Sequence, residues 1–411
     1  MNFFRRRRGN SVDSDELDIS GPKKGSDRTK SRKPPNTAFR QQRLKAWQPI
    51  YSPKTILPLL FVVFLVMCPI GIALIFRTYR VQNLVINYSR CDELEDSDEY
   101  AEIPRNRVNF HFDKSTSSYS NYQNPRWRTS TSTDSLGNSV RTCHIEFDIP
   151  NDIHSPLYFY YKLTNFFQNH RRYVESYDLE QLKGEAVPYD DIDSDCKPFA
   201  HSGDKIVYPC GLVANSYFND TLSSPVLLNP AGGSENVTYE LTTKDIAWKT
   251  DRTTYKKTSY NWDEIVPPPN WEKMYPNGYT EDNIFDITEN EFFQNWMRTA
   301  ALPSFMKLAA KNTTTAMESG TYQIDIGLNY PVSIFGGSKS LVITSNNILG
   351  GRHFGLGVCY LIVAGASFLF GFLFLLKVLI KPRKIGDHSL LNFEDERASQ
   401  ELFTSERRDY L

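Results

Sequence analysis

Two long apolar runs without any charged residue lie near opposite ends of this 411-residue chain and constrain its fold more than any other feature. The first extends from Ile56 to Phe76 and the second from Phe354 to Leu376. Each passes the ~20 residues that a helix needs to cross ~30 Å of hydrocarbon. The first run is long for a signal peptide, and 55 residues precede it. We therefore predict two transmembrane helices, at residues 56–77 and 354–380.

The charges that flank the two runs predict their orientation. The N-terminal tail, residues 1–55, carries 14 Lys and Arg against five Asp and Glu, and Lys377, Lys381, Arg383 and Lys384 lie directly after the second run. Because Lys and Arg accumulate on the cytosolic side, both tails, 1–55 and 381–411, are predicted to be cytosolic. Residues 77–353 carry 26 Lys and Arg against 36 Asp and Glu, a net charge of −10. This balance fits a lumenal or extracellular domain at 78–353 and argues against nucleic-acid binding.

The cysteines support the same placement. Two of the six, Cys68 and Cys359, fall inside the apolar runs, and the other four all fall in the middle segment. An even number of cysteines in a lumenal domain predicts two disulfides, although four cysteines allow three connectivities. We predict pairing between neighbours in sequence: Cys91 with Cys143, and Cys196 with Cys210.

Sequons for N-glycosylation are confined to the middle segment. Asn219, Asn236 and Asn312 are the predicted acceptors. A fourth sequon, at Asn87, ranks lowest because it lies only eleven residues beyond Phe76, close to the membrane.

The N-terminal tail divides into two parts by composition. Residues 1–33 have almost no large apolar side chain after Phe4 and are predicted to be disordered. Residues 34–55 interleave aromatic side chains with arginine and lysine. Such a stretch could lie on the anionic cytosolic leaflet or dock on another protein, and composition favours neither.

The middle segment is rich in Tyr, Phe, Thr and Asn, which favours strands and turns. The segments 144–149, 157–163 and 321–335 are predicted strands, and 321–328 alternates polar and apolar residues. The segment 290–311 has the spacing of a helix that Pro303 should bend or end. The predicted fold class is a membrane protein with two transmembrane α-helices and a large, mainly antiparallel β-sandwich ectodomain with helical insertions.

Catalytic motifs are missing from the sequence. Neither a phosphate-binding loop nor a serine-hydrolase or zinc-protease motif occurs, and the seven histidines are scattered. Asp193-Ser194-Asp195 matches the D-x-D of Golgi sugar transferases, but an acidic loop contains such a match easily. We therefore predict no catalytic residue, metal or cofactor. Two alternatives to a non-enzymatic subunit stay open: a Golgi sugar transferase that uses Asp193 and Asp195, and a free-standing receptor.

Several long strings go beyond generic pattern. They are NTAFRQQRLKAWQPI (36–50), VYPCGLVANSYFNDT (207–221), DIAWKTD (245–251), PPPNWEKMYPNGY (267–279), NWMRTAALPSFMKL (295–308), LNYPVSIFGGSKS (328–340) and KPRKIGDHSLLNF (381–393). In this order and around two spans, they closely resemble the cell-division-control protein 50 / ligand-effect-modulator family, with the closest likeness to fungal members.

The resemblance implies a specific role. The family supplies the non-catalytic β subunit of type-IV P-type ATPases, the phospholipid flippases, which need it to fold, to leave the endoplasmic reticulum and to transport lipid. The expected partner is therefore such an ATPase in a heterodimer within the membrane, and the expected locations are the Golgi and endosomes, with the plasma membrane as a further one. The resemblance also favours docking on the ATPase as the role of residues 34–55. The expected contacts are Asn36, Phe39, Arg40, Gln41, Arg43 and Trp47. It makes Cys210–Thr221 a structural or contact element of the ectodomain.

Overall fold

A computed structural model of the chain describes residues 37–44, 52–112, 122–133, 137–192, 194–228, 230, 233, 235–346 and 351–382. The described residues from Leu57 onwards form one compact body. The helices of the described residues are α1 (Pro53–Tyr79), α2 (Arg171–Val174), α3 (Leu179–Leu182), α4 (Leu212–Asn215), α5 (Lys249–Thr254), α6 (Glu291–Met297) and α7 (Gly355–Ile380).

The strands of the described ranges form three sheets. They are β1 (Asn83–Asn87), β2 (Ala101–Glu102), β3 (Val108–His111), β4 (Arg126–Thr133), β5 (Ser139–Ile149), β6 (Leu157–Thr164), β7 (His201–Ser202), β8 (Lys205–Val207), β9 (Thr221–Leu222), β10 (Val226–Leu227), β11 (Val237–Thr238), β12 (Ile265–Val266), β13 (Phe305–Asn312), β14 (Gly320–Gly327) and β15 (Ser338–Ser345). Five strands form one sheet in the order β13-β6-β15-β1-β3, and seven form another around β10-β14-β5-β4, with β9 beside β14. The third sheet is β12-β8-β7.

The two larger sheets are antiparallel and share one apolar core. Strand β6 shows how the sequence builds it, because its side chains alternate strictly between buried and partly exposed. Leu157 and Phe159 on β6 contact the same buried cluster as Ile145 and Phe147 on β5. The alternation of period two therefore predicts this sandwich, and the predicted fold class is confirmed.

A second core, rich in aromatic rings, lies under the insertions between β6 and β15. It contains Trp271, Trp296 and Phe293, each at most 1% exposed. The indole N–H of Trp271 donates to Ala214 O at 3.0 Å, so burial leaves this polar atom paired. We call this second cluster the aromatic core. The insertions that cover it include the helical ones predicted from the sequence.

The helix predicted over 290–311 is correct only in its first part. α6 ends at Met297, six residues before Pro303, and β13 begins at Phe305. β13 pairs with β6 from Phe305↔Leu163 to Asn312↔Leu157. The edge of a sheet overrides the helical spacing here, because β6 offers unpaired backbone groups that β13 satisfies.

The two end helices are long and apolar enough to cross a membrane. α1 is continuous through Pro58 and Pro69. β1 begins four residues after α1 ends, and its partner β15 ends ten residues before α7 begins, so two central strands of one sheet continue into the helices. Thr78 Oγ1 donates to His353 O at 3.5 Å across this junction. These features make the chain a two-span membrane protein.

Candidate functional site

The described part of the N-terminal stretch, residues 37–44, forms a tight turn. The N–H of Gln41 donates to Thr37 O at 2.9 Å, and the N–H of Arg43 donates to Ala38 O at 2.7 Å. Gln42, near the end of the turn, has a positive φ of 53°. The turn is therefore held by its own backbone.

Phe39, on this turn, is 76% exposed, and Arg40 is exposed next to it. Aromatic residues, Phe among them, and arginine are enriched at protein interfaces relative to the rest of the surface. Of the six predicted contacts, the structure thus places Phe39, Arg40, Gln41 and Arg43 on one turn. The other two, Asn36 and Trp47, lie outside the described residues.

The two membrane helices pack against each other through small residues. Gly71 of α1 lies against α7 so closely that an added Cβ would come within 3.2 Å of Gly357 O. Further along, Ser367 and Gly371 are buried on the same face of α7. The small pair Ser367-x-x-x-Gly371 therefore serves the contact between the chain's own helices, whereas nothing lies within 4 Å of a Cβ added at Gly365.

Substitution of Gly357 by leucine is expected to weaken this helix pair. A Cβ at Gly357 would lie 2.7 Å from Ile75 Cγ1 and 3.3 Å from both Gly71 O and Ile75 N, so a bulky side chain must separate the helices. Gly365→Leu is the matched control, because its side chain enters open space. We expect a lower melting temperature of the detergent-solubilised protein for Gly357→Leu than for Gly365→Leu. Equal melting temperatures would contradict the packing described here.

The segment Cys210–Thr221 lies in the centre of the ectodomain rather than on its surface. Val213 and Ala214 are fully buried. Trp296 Nε1 donates to Val213 O at 2.7 Å, just as Trp271 Nε1 donates to Ala214 O. Of the two roles predicted for this segment, the structure supports the structural one.

Asp220 anchors the end of this segment to the five-stranded sheet. Its Oδ2 lies 2.7 Å from Nζ of Lys339, and both side chains are at most 3% exposed. The hydroxyl of Tyr88 donates to the same oxygen at 3.1 Å. The N–H groups of Asn329 and Tyr330 each donate to Oδ1 at 2.7 Å. Burial, together with the Asp220 charge, holds the pKa of Tyr88 well above its ordinary value.

Lys307 is a second buried cation. Its ammonium donates to the backbone carbonyls of Asn295, at 2.7 Å, of Trp296, at 3.1 Å, and of Arg298. These carbonyls lie at the end of α6, where such groups lack helical partners, so Lys307 closes the helix. Burial, helped by the Arg298 charge, lowers the pKa of Lys307 to about 7.

This lowered pKa predicts that the ectodomain becomes more stable as the pH rises from 7 to 9. An unfolded lysine titrates near pH 10.4, so in this range the unfolded chain binds more protons than the folded one, and the free energy of unfolding rises by up to ~1.4 kcal/mol per pH unit. Below pH 7 both states are protonated and this dependence ends. The melting temperature of the full-length protein should rise more steeply with pH between 7 and 9 than that of Lys307→Met. The same dependence on pH in both proteins would contradict the lowered pKa of Lys307.

The four ectodomain cysteines form two disulfides in the structure, Cys91–Cys143 and Cys196–Cys210. The first joins the short 3-10 helix at Cys91–Glu93 to β5, and the second lies in the aromatic core. Cys68 and Cys359 lie in α1 and α7. The neighbour pairs predicted from sequence are thus the pairs that the structure brings together.

The four sequon asparagines have different surroundings. Asn236 is exposed, whereas Asn312 is 6% exposed and its Nδ2 donates to Glu240 O at 2.8 Å. Asn87 is partly buried, and its Oδ1 accepts from Ser89. Asn219 lines a large cavity of the ectodomain.

The described residues contain no group of three or more His, Cys, Asp or Glu side chains that could hold a metal. Asp195 of the D-x-D is exposed on a short 3-10 turn, and its carbonyl accepts from Ser176. Asp193 lies outside the described residues. The structure therefore adds no support to the sugar-transferase alternative.

Three side chains on neighbouring strands have the order of a serine-hydrolase triad. Nε2 of His144 lies 2.8 Å from Ser130 Oγ, and its Nδ1 lies 2.7 Å from Asp325 Oδ1. Hydrolysis would also need N–H donors aimed at a developing oxyanion. However, β4 pairs with β5 along its whole length, so the strand that carries Ser130 is committed to the sheet. We interpret this group as a cross-strand hydrogen-bond network.

Sequence reasoning did not find the Asp220–Lys339 pair or the role of Lys307. Both members of the pair lie in strings that carry the family resemblance, but they are 119 positions apart in the chain. Nothing in either string indicates that a carboxylate and an ammonium meet. For Lys307 there is one local signal: it stands between apolar residues on alternate positions of a strand. The interpretation of 290–311 as a helix did not take this signal into account.

Comparisons with known proteins agree with one another. The profile of the LEM3 (ligand-effect modulator 3) family / CDC50 family matches residues 74–384. The chain is 52% identical over 366 residues to the phospholipid-transporting ATPase accessory subunit CRF1 of Saccharomyces cerevisiae, covering 89% of this chain and 90% of that protein. It is 41% identical to the accessory subunit CDC50 of Chaetomium thermophilum over 96% of this chain and 98% of that one. It is 34% identical to cell cycle control protein 50A of Bos taurus, over 87% of this chain and 92% of that protein.

Proposed function

Since the chain belongs to the LEM3/CDC50 family, we propose that it is the non-catalytic β subunit of a phospholipid-translocating P-type ATPase. The observation that carries this proposal is near full-length similarity to proteins named as accessory subunits of phospholipid-transporting ATPases. Through this role the chain would support folding of the catalytic subunit, its exit from the endoplasmic reticulum and the lipid transport that maintains membrane asymmetry.

We propose that both termini are cytosolic and that the ectodomain is lumenal or extracellular. The basic N-terminal tail, the cations directly after the second apolar run, the acidic middle and the disulfides support this orientation. We further propose glycosylation at Asn219, Asn236 and Asn312, with Asn87 less favoured. The complex would move from the endoplasmic reticulum to the Golgi, the trans-Golgi network and endosomes, with the plasma membrane as a further location.

Co-purification tests the proposed function directly. The full-length chain, solubilised in mild detergent, should bring down a type-IV P-type ATPase that mass spectrometry identifies, and loss of the chain should retain that ATPase in the endoplasmic reticulum. A chain that reaches the cell surface without any ATPase would support the receptor alternative instead. Metal-dependent turnover of a nucleotide sugar, lost in Asp193→Asn, would support the transferase alternative.

The turn at residues 37–44 is proposed to be one of the contacts with the ATPase. Phe39→Ala together with Arg40→Ala should reduce the amount of co-purified ATPase several-fold, because these exposed groups contribute to binding rather than to the fold. Thr37→Ala, which removes only the 3.3 Å hydrogen bond from the Arg40 N–H to Thr37 Oγ1, is the control. If the double variant co-purifies the normal amount of ATPase, this turn is not part of the interface.

A further inference from the structure

The ectodomain contains a cavity of 880 Å³ between its two cores. Its walls come from both regions: Tyr88 and Leu341 belong to the sandwich core, whereas Phe218 and Phe285 belong to the aromatic core. This volume lies within the ~300–1,000 Å³ of pockets that enclose small ligands. The cavity is partly open to solvent, so a group attached at its wall can enter it.

Asn219 of the N-D-T sequon lines this cavity. Its Oδ1 atom is buried, and it has no hydrogen-bond partner among the described residues. Buried side-chain oxygens are almost always paired, so this atom needs an explanation. The side-chain amides of Asn87 and Asn312, by contrast, form hydrogen bonds with neighbouring protein atoms.

The two residues after Asn219 hold the sequon in place. Asp220 is fixed by Lys339 and by two backbone N–H groups, as described above. Thr221 begins β9 and pairs with Gly327 of β14, where an added Cβ would clash with Thr221 Oγ1. The backbone on the C-terminal side of Asn219 is thereby tied to both larger sheets, which keeps Asn219 at the cavity wall.

The lining has the chemistry that binds a sugar. The rings of Tyr160, Tyr275 and Phe292 offer flat apolar faces, and the carboxylates of Asp286 and Glu289 offer hydrogen-bond acceptors. A pyranose has the matching groups, because its C–H bonds form apolar faces and its hydroxyls donate hydrogen bonds. Aromatic walls with a few polar groups are typical of sites that hold one ligand in a fixed orientation.

We propose that the cavity holds the first sugars of the glycan on Asn219, so that this glycan forms part of the ectodomain's interior. The acetamido group of the first sugar lies next to Asn219 Oδ1, and the following sugars pack against the aromatic wall. The glycan thus joins the sandwich core to the aromatic core. This inference rests on the lumenal placement proposed above, and it does not depend on which ATPase is the partner.

Enzymatic deglycosylation of the native full-length protein tests the proposal. Peptide-N-glycosidase releases each glycan and converts its asparagine to aspartate with one oxygen from water. In water enriched in oxygen-18, mass spectrometry therefore quantifies release at Asn219 and at Asn236. The glycan on Asn219 should be released at least ten-fold more slowly than the glycan on Asn236 in the native protein. After denaturation the two rates should be equal. Equal native rates, or an unmodified Asn219 beside a modified Asn236, would overturn the proposal alone. A protein unmodified at every sequon would overturn the lumenal placement as well.

Substitutions at two different positions of the sequon, each of which prevents glycosylation of Asn219, provide the second test. Asn219→Gln and Thr221→Val both abolish the sequon, whereas Thr221→Ser alters the same position and keeps it. Both sequon-free variants should lower the melting temperature, while Thr221→Ser and the control Asn236→Gln should leave it close to that of the parent. Should Asn219→Gln and Asn236→Gln melt alike, the glycan on Asn219 is an external one and the proposal is wrong.

Discussion

Replacing Lys339 with methionine is expected to destabilise the ectodomain by about 3–5 kcal/mol, because removal of one partner leaves a charged group buried and uncompensated. That group is Asp220, whose carboxylate is 2% exposed. Its remaining hydrogen bonds from Tyr88, Asn329 and Tyr330 cannot replace the lost cation. A loss of this size is a large share of the stability of a typical domain, so we expect the variant to be retained in the endoplasmic reticulum.

The measurement is a thermal and denaturant melt of the detergent-solubilised protein, with delivery to the Golgi as a cellular readout. Lys339→Met combined with Asp220→Asn should recover part of the lost stability, since the double variant buries no charge. Arg171→Met is the matched control, because Arg171 and its partner Glu175 form an exposed pair on α2. If Lys339→Met melts like the Arg171 variant, the buried pair does not stabilise the fold.

Loss of the Cys91–Cys143 disulfide is the second change with a large expected effect. The two cysteines are 52 positions apart, and closing a loop of this length stabilises by about 4 kcal/mol in the chain-entropy treatment. Both residues are fully buried in the sandwich core. The double variant Cys91→Ser and Cys143→Ser should therefore lose most of its folded population at growth temperature.

The second disulfide gives an internal comparison. Cys196–Cys210 closes a loop of only 14 positions, for which the same treatment gives about 3 kcal/mol. Its paired serine variant should retain more ectodomain stability than the first, and Cys359→Ser in α7 should retain nearly all of it. Protein yield after size-exclusion chromatography and melting temperature in detergent both report this order. A reversed order would mean that strain or residual structure outweighs loop closure.

The sequence alone determined the parts of the molecule that depend on local pattern. Charge-free runs of membrane-spanning length fix the two helices, because hydrocarbon excludes charge and unpaired backbone groups. Alternation of buried and exposed side chains fixes β6 and the first part of 321–335, because the side chains of a strand point to opposite faces. The cysteine count predicts two disulfides but allows three connectivities, so the pairing of Cys91 with Cys143 and of Cys196 with Cys210 did not follow from the sequence alone.

Only the tertiary structure decided the features that join distant segments. Residues 305–311 carry apolar side chains at helical spacing, yet they form β13, because pairing with β6 satisfies their backbone and buries Lys307 against the end of α6. Likewise, Asp220 and Lys339 meet 119 positions apart, and Asn219 comes to line a cavity between two cores. Hydrogen bonds and ion pairs act over a few ångströms in space, whereas a sequence records only the order of residues along the chain.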